Sequence, residues 1–198
     1  MVDSTLQLPQ EGTGPKTPAI QTIVGANTIK VPISLIAGFK TYVAAIMSST
    51  TGTNKNHFLV FNGTGSGRTV RIWDIKINPN ITAALAGTSV VLNTARISDI
   101  GTAGTSQPIR KTDTTDNDLP AEIVSRANVN NPTVSSNELA SCTVLIEETA
   151  AFPGKVSLYK ADSVISSLVL NEGEGLLIQQ GTFAGVGAIN IFIYFTID

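Results

Sequence analysis

One cysteine, one histidine and one tryptophan in 198 residues leave little of the usual material for side-chain chemistry. The lone Cys142 rules out an intramolecular disulfide framework and leaves the redox compartment open. It sits in ASCTVLIEE, where Cys142, Val144 and Ile146 share one strand face, so a buried small hydrophobe is the favoured reading over a reactive thiol. His57 has no second histidine to join it in a metal site; it opens the apolar run FLVF, which points to a local structural role or a surface position at a strand start. Charge is equally sparse. With 13 basic against 15 acidic residues and a net charge of -2, the chain lacks the basic stripe of a general nucleic-acid binder, and no nucleic-acid partner is expected. No run approaches the ~20 apolar residues of a membrane helix. The start MVDSTLQLPQEG has neither the basic segment nor the apolar core of a signal peptide, so the expectation is a soluble chain with no export leader of its own and no membrane partner.

What the chain does have is length enough for one full core and a period of two. Residues 1–36 read as an N-terminal arm, partly disordered or extended. Pro9, Pro15 and Pro18 with Gly12 and Gly14 punctuate its beginning, and QTIVGANTIKVPISLI then reads as extended chain broken near Gly25 and Pro32. Residues 37–198 read as a single domain. Its first stretch, Phe39 to Met47, fits a helix and a short strand about equally. HFLVFN and RTVRIWDIKIN follow as two strands around GTGSG, expected to pair antiparallel. In the second, strict alternation puts Val70, Ile72, Asp74 and Lys76 on one face and Arg71, Trp73, Ile75 and Ile77 on the other.

Further along, Ala83 to Ala86 could form one helical turn before a strand at Ser89 to Ile97. Thr102 to Pro120 is a long polar connection with a short strand at Pro108 to Lys111. EIVSRANV, SCTVLIEET and GKVSLYK are three more strands, separated by NNPTVSSN and AAFPG. Near the end, the turn NEGEG separates LVL from LLIQQ, and INIFIYFTI closes the sequence with bulky side chains on both faces. Such a strand should lie between the core and something else, either another part of the chain or a partner subunit. Strands throughout and no long helix predict an all-β fold: an antiparallel β-sandwich, jelly-roll-like, with an extended N-terminal arm.

The candidate sites each have a simpler reading. NGTGSGRT (Asn62 to Thr69) resembles a phosphate loop only in glycine content: Asn62 stands where the first glycine is required, Arg68 where the lysine is, and a strand follows instead of a helix. Asp113, Asp116 and Asp118 offer calcium-type oxygen ligands, but DTTDNDLPAEIV lacks the glycine turn and the acid at the twelfth position, so a solvated acidic loop is expected. Glu172 and Glu174 are a carboxylate pair in a glycine-bracketed turn, and Glu147 and Glu148 end a strand. Trp73 is read as a core anchor, with an interface position as the alternative. No residue is therefore assigned a catalytic, cofactor-binding or metal-binding role, no cofactor is expected, and the chain is read as a non-enzyme.

The block HFLVFNGTGSGRTVRIWDIKIN, followed by Thr/Gly/Ala-rich loops and the closing LVLNEGEGLLIQQGTFAGVGAINIFIYFTI, resembles the structural proteins of tailed-bacteriophage virions. The resemblance spans about residues 57–198 and lies in the order of parts: a strand at Phe58 to Asn62, a glycine turn at Gly63 to Gly67, an arginine-led strand at Arg68 to Ile77, and a G-E-G-L turn at Gly173 to Leu176. It implies a β-sandwich subunit of a particle, most like a capsid decoration (cement) protein on the virion's capsid surface, assembled in the host cytoplasm. The implied partners are the phage major capsid protein or another virion protein and further copies of the chain, as a trimer. The alternative is a tail or fibre component acting as a receptor- or carbohydrate-binding module. Against sugar stacking, residues 48–56, 99–119 and 128–138 contain no Phe, Tyr or Trp.

Overall fold

The computed structural model describes residues 19–24, 27–32, 40–80, 88–146, 156–162, 166–182 and 187–198. The features expected in residues 1–18, at Ala83 to Ala86 and at Glu147 and Glu148 lie outside them. The chain divides into two units, Met1–Phe39 and Lys40–Asp198. In the first, β1 (Ala19–Val24) and β2 (Asn27–Pro32) pair antiparallel, with Val24 opposite Asn27. The break expected near Gly25 lies outside the described residues.

The second unit is built from two antiparallel sheets packed face to face. Strands β3 (Lys40–Thr50), β4 (Asn56–Asn62), β5 (Val70–Asn80), β6 (Thr88–Asp99), β7 (Thr105–Gln107) and β8 (Ile109–Lys111) come first. They are followed by β9 (Ile123–Ala127), β10 (Thr133–Ile146), β11 (Val156–Lys160), β12 (Leu168–Leu170), β13 (Glu174–Gln180) and β14 (Ala188–Ile197). One sheet has the order β10-β6-β13-β4-β9-β7, the other β11-β5-β14-β3-β8, with β12 also paired to β5. The helix-or-strand ambiguity at Phe39 to Met47 resolves as β3. There Tyr42, Ala44 and Ile46 alternate into the core while Thr41, Val43 and Ala45 stay half-buried, a period of two. Between the sheets lies one apolar core, in which Tyr42 and Phe195 stack with ring centroids 5.7 Å apart among Phe58, Ile72, Ile75 and Leu176.

The sandwich has its outside packing too. Leu59, Ile97 and Leu177 point away from that core, yet are fully buried with Val129 in a second cluster. Beside it, Thr102 and Asn130 exchange backbone hydrogen bonds of 2.8 and 2.9 Å, joining the segment after β6 to the segment after β9.

Three sequence expectations are corrected. First, HFLVFN (β4) and VRIWDIKIN (β5) do not pair with each other; β4 lies between β13 and β9, and β5 between β14 and β11, in opposite sheets. The glycine loop crosses between sheets, and so does NEGEG, which links β12 on β5 to β13 beside β4. Second, the alternation along β5 changes phase. Tyr194 faces Asp74 while Phe195 faces Ile72, leaving Trp73 as an extra residue, and this bulge brings Val70 and Ile72 onto the same buried face as Ile75 and Ile77. Trp73 itself is half-buried on the sheet's outer side, outside the core, where its Nε1–H donates to Thr196 Oγ1 at 2.8 Å. Third, TVSSN is not a separator but the irregular first half of β10, with register shifts on either side of Val134 and Glu138.

Two more bulges act alike. Ile189 faces Ser49 and Ile191 faces Ile46, so β3 holds one extra residue at Met47-Ser48, where Ser48 takes a φ of 55° and Met47 is 63% exposed. On β4, Ile178 faces Phe58 and Gln179 faces Asn56, so His57 is the inserted residue. Each bulge turns a side chain that simple alternation would place elsewhere.

Candidate functional site

The two ends of β4 organise the loops at the two ends of the sandwich, roughly 20 Å apart for a strand of this length. At the far end, Asn62 is fully buried, and its Nδ2 donates to the carbonyls of Arg68 (2.8 Å) and Leu170 (3.1 Å). Its main-chain carbonyl accepts from Gly173 N–H at 2.7 Å. One asparagine thus ties together both loops that cross between the sheets.

The same two loops are tied a second time. Gly65 and Gly67, with φ of 93° and 61°, turn their N–H groups toward one point, and the carboxylate of Glu172 occupies it at 3.2 and 2.6 Å. Successive backbone donors in a glycine turn make an anion-binding concavity. The glycine loop therefore does cradle an anion, but the anion is the protein's own glutamate, which answers the phosphate-loop question through the fold. We expect Glu172→Ala to lower unfolding free energy by about 1 kcal/mol, the scale of an exposed charge-assisted contact, and Glu172→Gln by less. Urea denaturation of the three proteins measures this.

At the near end, the bulge turns His57 into a fully buried network. Gly52 N–H donates to Gln180 Oε1 at 2.8 Å, which fixes that atom as the amide oxygen; His57 Nε2, 3.1 Å from the same oxygen, must then carry a proton. Nδ1 is left to accept from Ser49 Oγ at 2.8 Å. The imidazole is neutral, with both nitrogens satisfied. Burial pushes its pKa down to about 4, against a raising contribution from Gln180 and with a further lowering from the Lys55 charge. The expected structural role of His57 holds, as a clamp between β3, β4 and β13.

The acidic run is spent on the fold as well. Asp116 accepts from Thr41 N–H at 3.1 Å, Asn117 offers its carbonyl to the Tyr42 hydroxyl at 2.9 Å, and Lys111 reaches Asp118 at 2.7 Å. Asp113 accepts from Thr115 N–H and Oγ1, contacts that lower its pKa, while the Lys111 contact lowers that of Asp118. The loop is clasped onto β3. Among the described residues, no group of three His, Cys, Asp or Glu side chains is placed to hold a metal ion. Glu174 is drawn to Arg96 at 3.3 Å and to Asn171 N–H at 2.8 Å, apart from the Glu172 clamp. Cys142 is half-buried, and burial raises its thiol pKa to about 11, so it is held as the protonated thiol expected of a packing residue.

What remains outward is the outer side of the β14 sheet. β14 lies between β3 and β5, with Ile191, Ile193 and Phe195 in the core and Phe192 and Tyr194 half-buried on the outer side. The Lys76 ammonium sits 4.7 Å from the Tyr194 ring centroid. With Trp73, Val43, Ala45 and the exposed Met47, this side of the sheet carries more apolar side chain than the alternation of a solvent-facing strand provides. Sequence reasoning identified the two-sided β14 but missed Met47, which follows Val43 and Ala45 on the outer face of a segment that fits helix and strand about equally by its sequence. Comparison with protein-family models, with curated proteins and with solved structures finds no match.

Proposed function

We propose that this chain is a non-enzymatic virion structural protein that binds and stabilises a bacteriophage capsid lattice as a decoration protein. The observation that carries the reading is the strand order. Taken along the chain, β3, β4, β5, β6, β10, β11, β13 and β14 occupy the two sheets as β11-β5-β14-β3 and β10-β6-β13-β4. This order supports reading the sandwich as the double Greek key of a jelly roll, with β7 to β9 as an insertion that widens one side. Jelly rolls serve as viral capsid and lectin domains, so the architecture supports the class implied by the sequence resemblance.

The side chains agree with a mechanical role. Carboxylates, the histidine and the buried asparagine are consumed in fastening loops to strands, and the outward apolar strip of the β14 sheet offers area for burial against neighbours. Area buried only in the assembled state stabilises that state relative to its separated parts. The reading includes a homo-oligomer, a trimer by the resemblance, attached to the major capsid protein on the outer capsid surface. The test is the position and symmetry of the chain in purified particles, by cryo-electron microscopy. Density in three-fold groups on the capsid facets is the expected result; density at the tail tip would favour receptor binding instead, and absence from the particle would overturn the proposal.

A further inference from the structure

The two sheets have four edges, and three of them are blunted. β7 and β8 are three residues each, with Arg110 and Lys111 on β8; β11 is five residues, is broken by a register shift between Ser157 and Tyr159, and ends in Lys160. Short strands, lysines and bulges are the ordinary means of preventing edge-to-edge pairing. The fourth edge, β10, is 14 residues long. Its first half is irregular, but from Ala140 to Ile146 it runs in unbroken register against Thr94 to Thr88. That segment, ASCTVLI, holds no charge, no proline and no glycine, and Ser141 and Thr143 are exposed. β10 is the end strand of its sheet.

The first unit carries a two-stranded hairpin, β1 and β2. A two-stranded hairpin by itself is marginal in water, because a third strand or a packed face is needed to hold it. Its two outer edges are unlike. β1, AIQTIV, is uncharged and free of proline; β2, NTIKVP, has Lys30 and Pro32, residues suited to an outermost strand. We propose that β1 of a second copy adds to the free edge of β10 along Ala140 to Ile146, with β2 becoming the new, blunted border of the extended sheet.

Length and polarity match: six residues of β1 meet the seven regular residues of β10, and neither contributes a charge that would have to be desolvated. Pairing of β10 with its own copy is disfavoured by the sequence. The segment is flanked by Glu138 on one side and by Glu147 and Glu148 on the other, so an antiparallel two-fold pair would bring acidic flanks together. Hairpin and edge are different surfaces, which makes the contact heterologous, and a heterologous contact that closes gives a ring. The interface thereby supplies a cyclic geometry for the oligomer proposed above. It rests on that reading for the number of copies only.

The test uses the full-length chain with Cys142→Ser and Thr143→Cys, combined in turn with a cysteine substitution at each position from Ile20 to Val24. Mild oxidation is followed by denaturing gels and mass measurement. The expected result is inter-chain cross-linking that rises and falls with a period of two along β1, together with an oligomeric mass for the unoxidised protein by light scattering. Adding Thr22→Pro to the variants with cysteine at the other positions should abolish both the cross-links and the oligomer. Cross-linking without that alternation, disulfides confined within single chains, or an oligomer indifferent to Thr22→Pro would each overturn the interface. So would a monomer at micromolar concentration, while the virion reading would still stand or fall on particle location.

Discussion

Replacing Gly101 by alanine should destabilise the sandwich by about 3–5 kcal/mol, combining the strain of a left-handed non-glycine residue with an overpacking term. Gly101 has a φ of 71°, and a Cβ there would lie 2.2 Å from the Asn130 carbonyl oxygen, 2.7 Å from Pro132 N and 2.8 Å from Asn131 C. All three are backbone atoms, so no side chain can swing aside. Relief requires separating the segment after β6 from the segment after β9, and with it the Thr102–Asn130 hydrogen bonds beside the Leu59, Ile97 and Leu177 cluster. Gly65→Ala is the matched control: its φ is 93°, but nothing lies within 4 Å of the new methyl. It should cost only the backbone term, roughly 1 kcal/mol. Chemical denaturation of the two variants separates close approach from conformational strain; equal losses would mean that the approach at Gly101 relaxes freely.

That pair of glycines also shows what the sequence could and could not disclose. Strands were legible where the alternation is spelled out, as in β9 and β14, but not in β3, whose sequence fits helix and strand about equally. Sheet membership was not, since the glycine turn between β4 and β5 reads the same for a hairpin as for a crossing between sheets. The three bulges defeated phase: at Trp73, a single inserted residue moved Ile75 and Ile77 from the presumed opposite face to the face of Val70 and Ile72. A bulge is set by partners on neighbouring strands, and those partners are distant in sequence. The Glu172 clamp joins residues more than 100 positions apart (|i−j| of 105 and 107), so each half was visible as turn chemistry while their meeting was not. The expectation of an antiparallel β-sandwich nevertheless followed from the period of two, and the two packed antiparallel sheets bear it out.

His57 leads to the second large effect, an acid-labile stability limb between pH 6.5 and pH 4. In the unfolded chain the imidazole takes a proton near its ordinary pKa of about 6.5; in the folded chain burial holds that pKa to about 4. Above the unfolded pKa both states are neutral and the network contributes fully. As pH falls through the window, only the unfolded state gains the proton, so stability declines until the folded pKa is passed, by about 3 kcal/mol in total. Asp113 and Asp118 also have lowered folded pKa values, but their linkage runs at more acidic pH, where the carboxylates of the unfolded chain begin to protonate. The histidine limb therefore comes first on acidification. His57→Gln cannot titrate, so its stability should be lower than that of the unsubstituted protein at pH 7 and nearly flat down to pH 5. Urea midpoints collected at half-unit pH intervals for both proteins give the comparison, and parallel curves would assign the acid loss to groups other than His57. Because Ser49, Gly52 and Gln180 share the network, the first region to loosen should be the β3–β4 connection where it meets the end of β13. Amide exchange at Gly52 and Asn54, whose N–H groups donate to Gln180 Oε1 and the Gly181 carbonyl, should accelerate before exchange across β14 does.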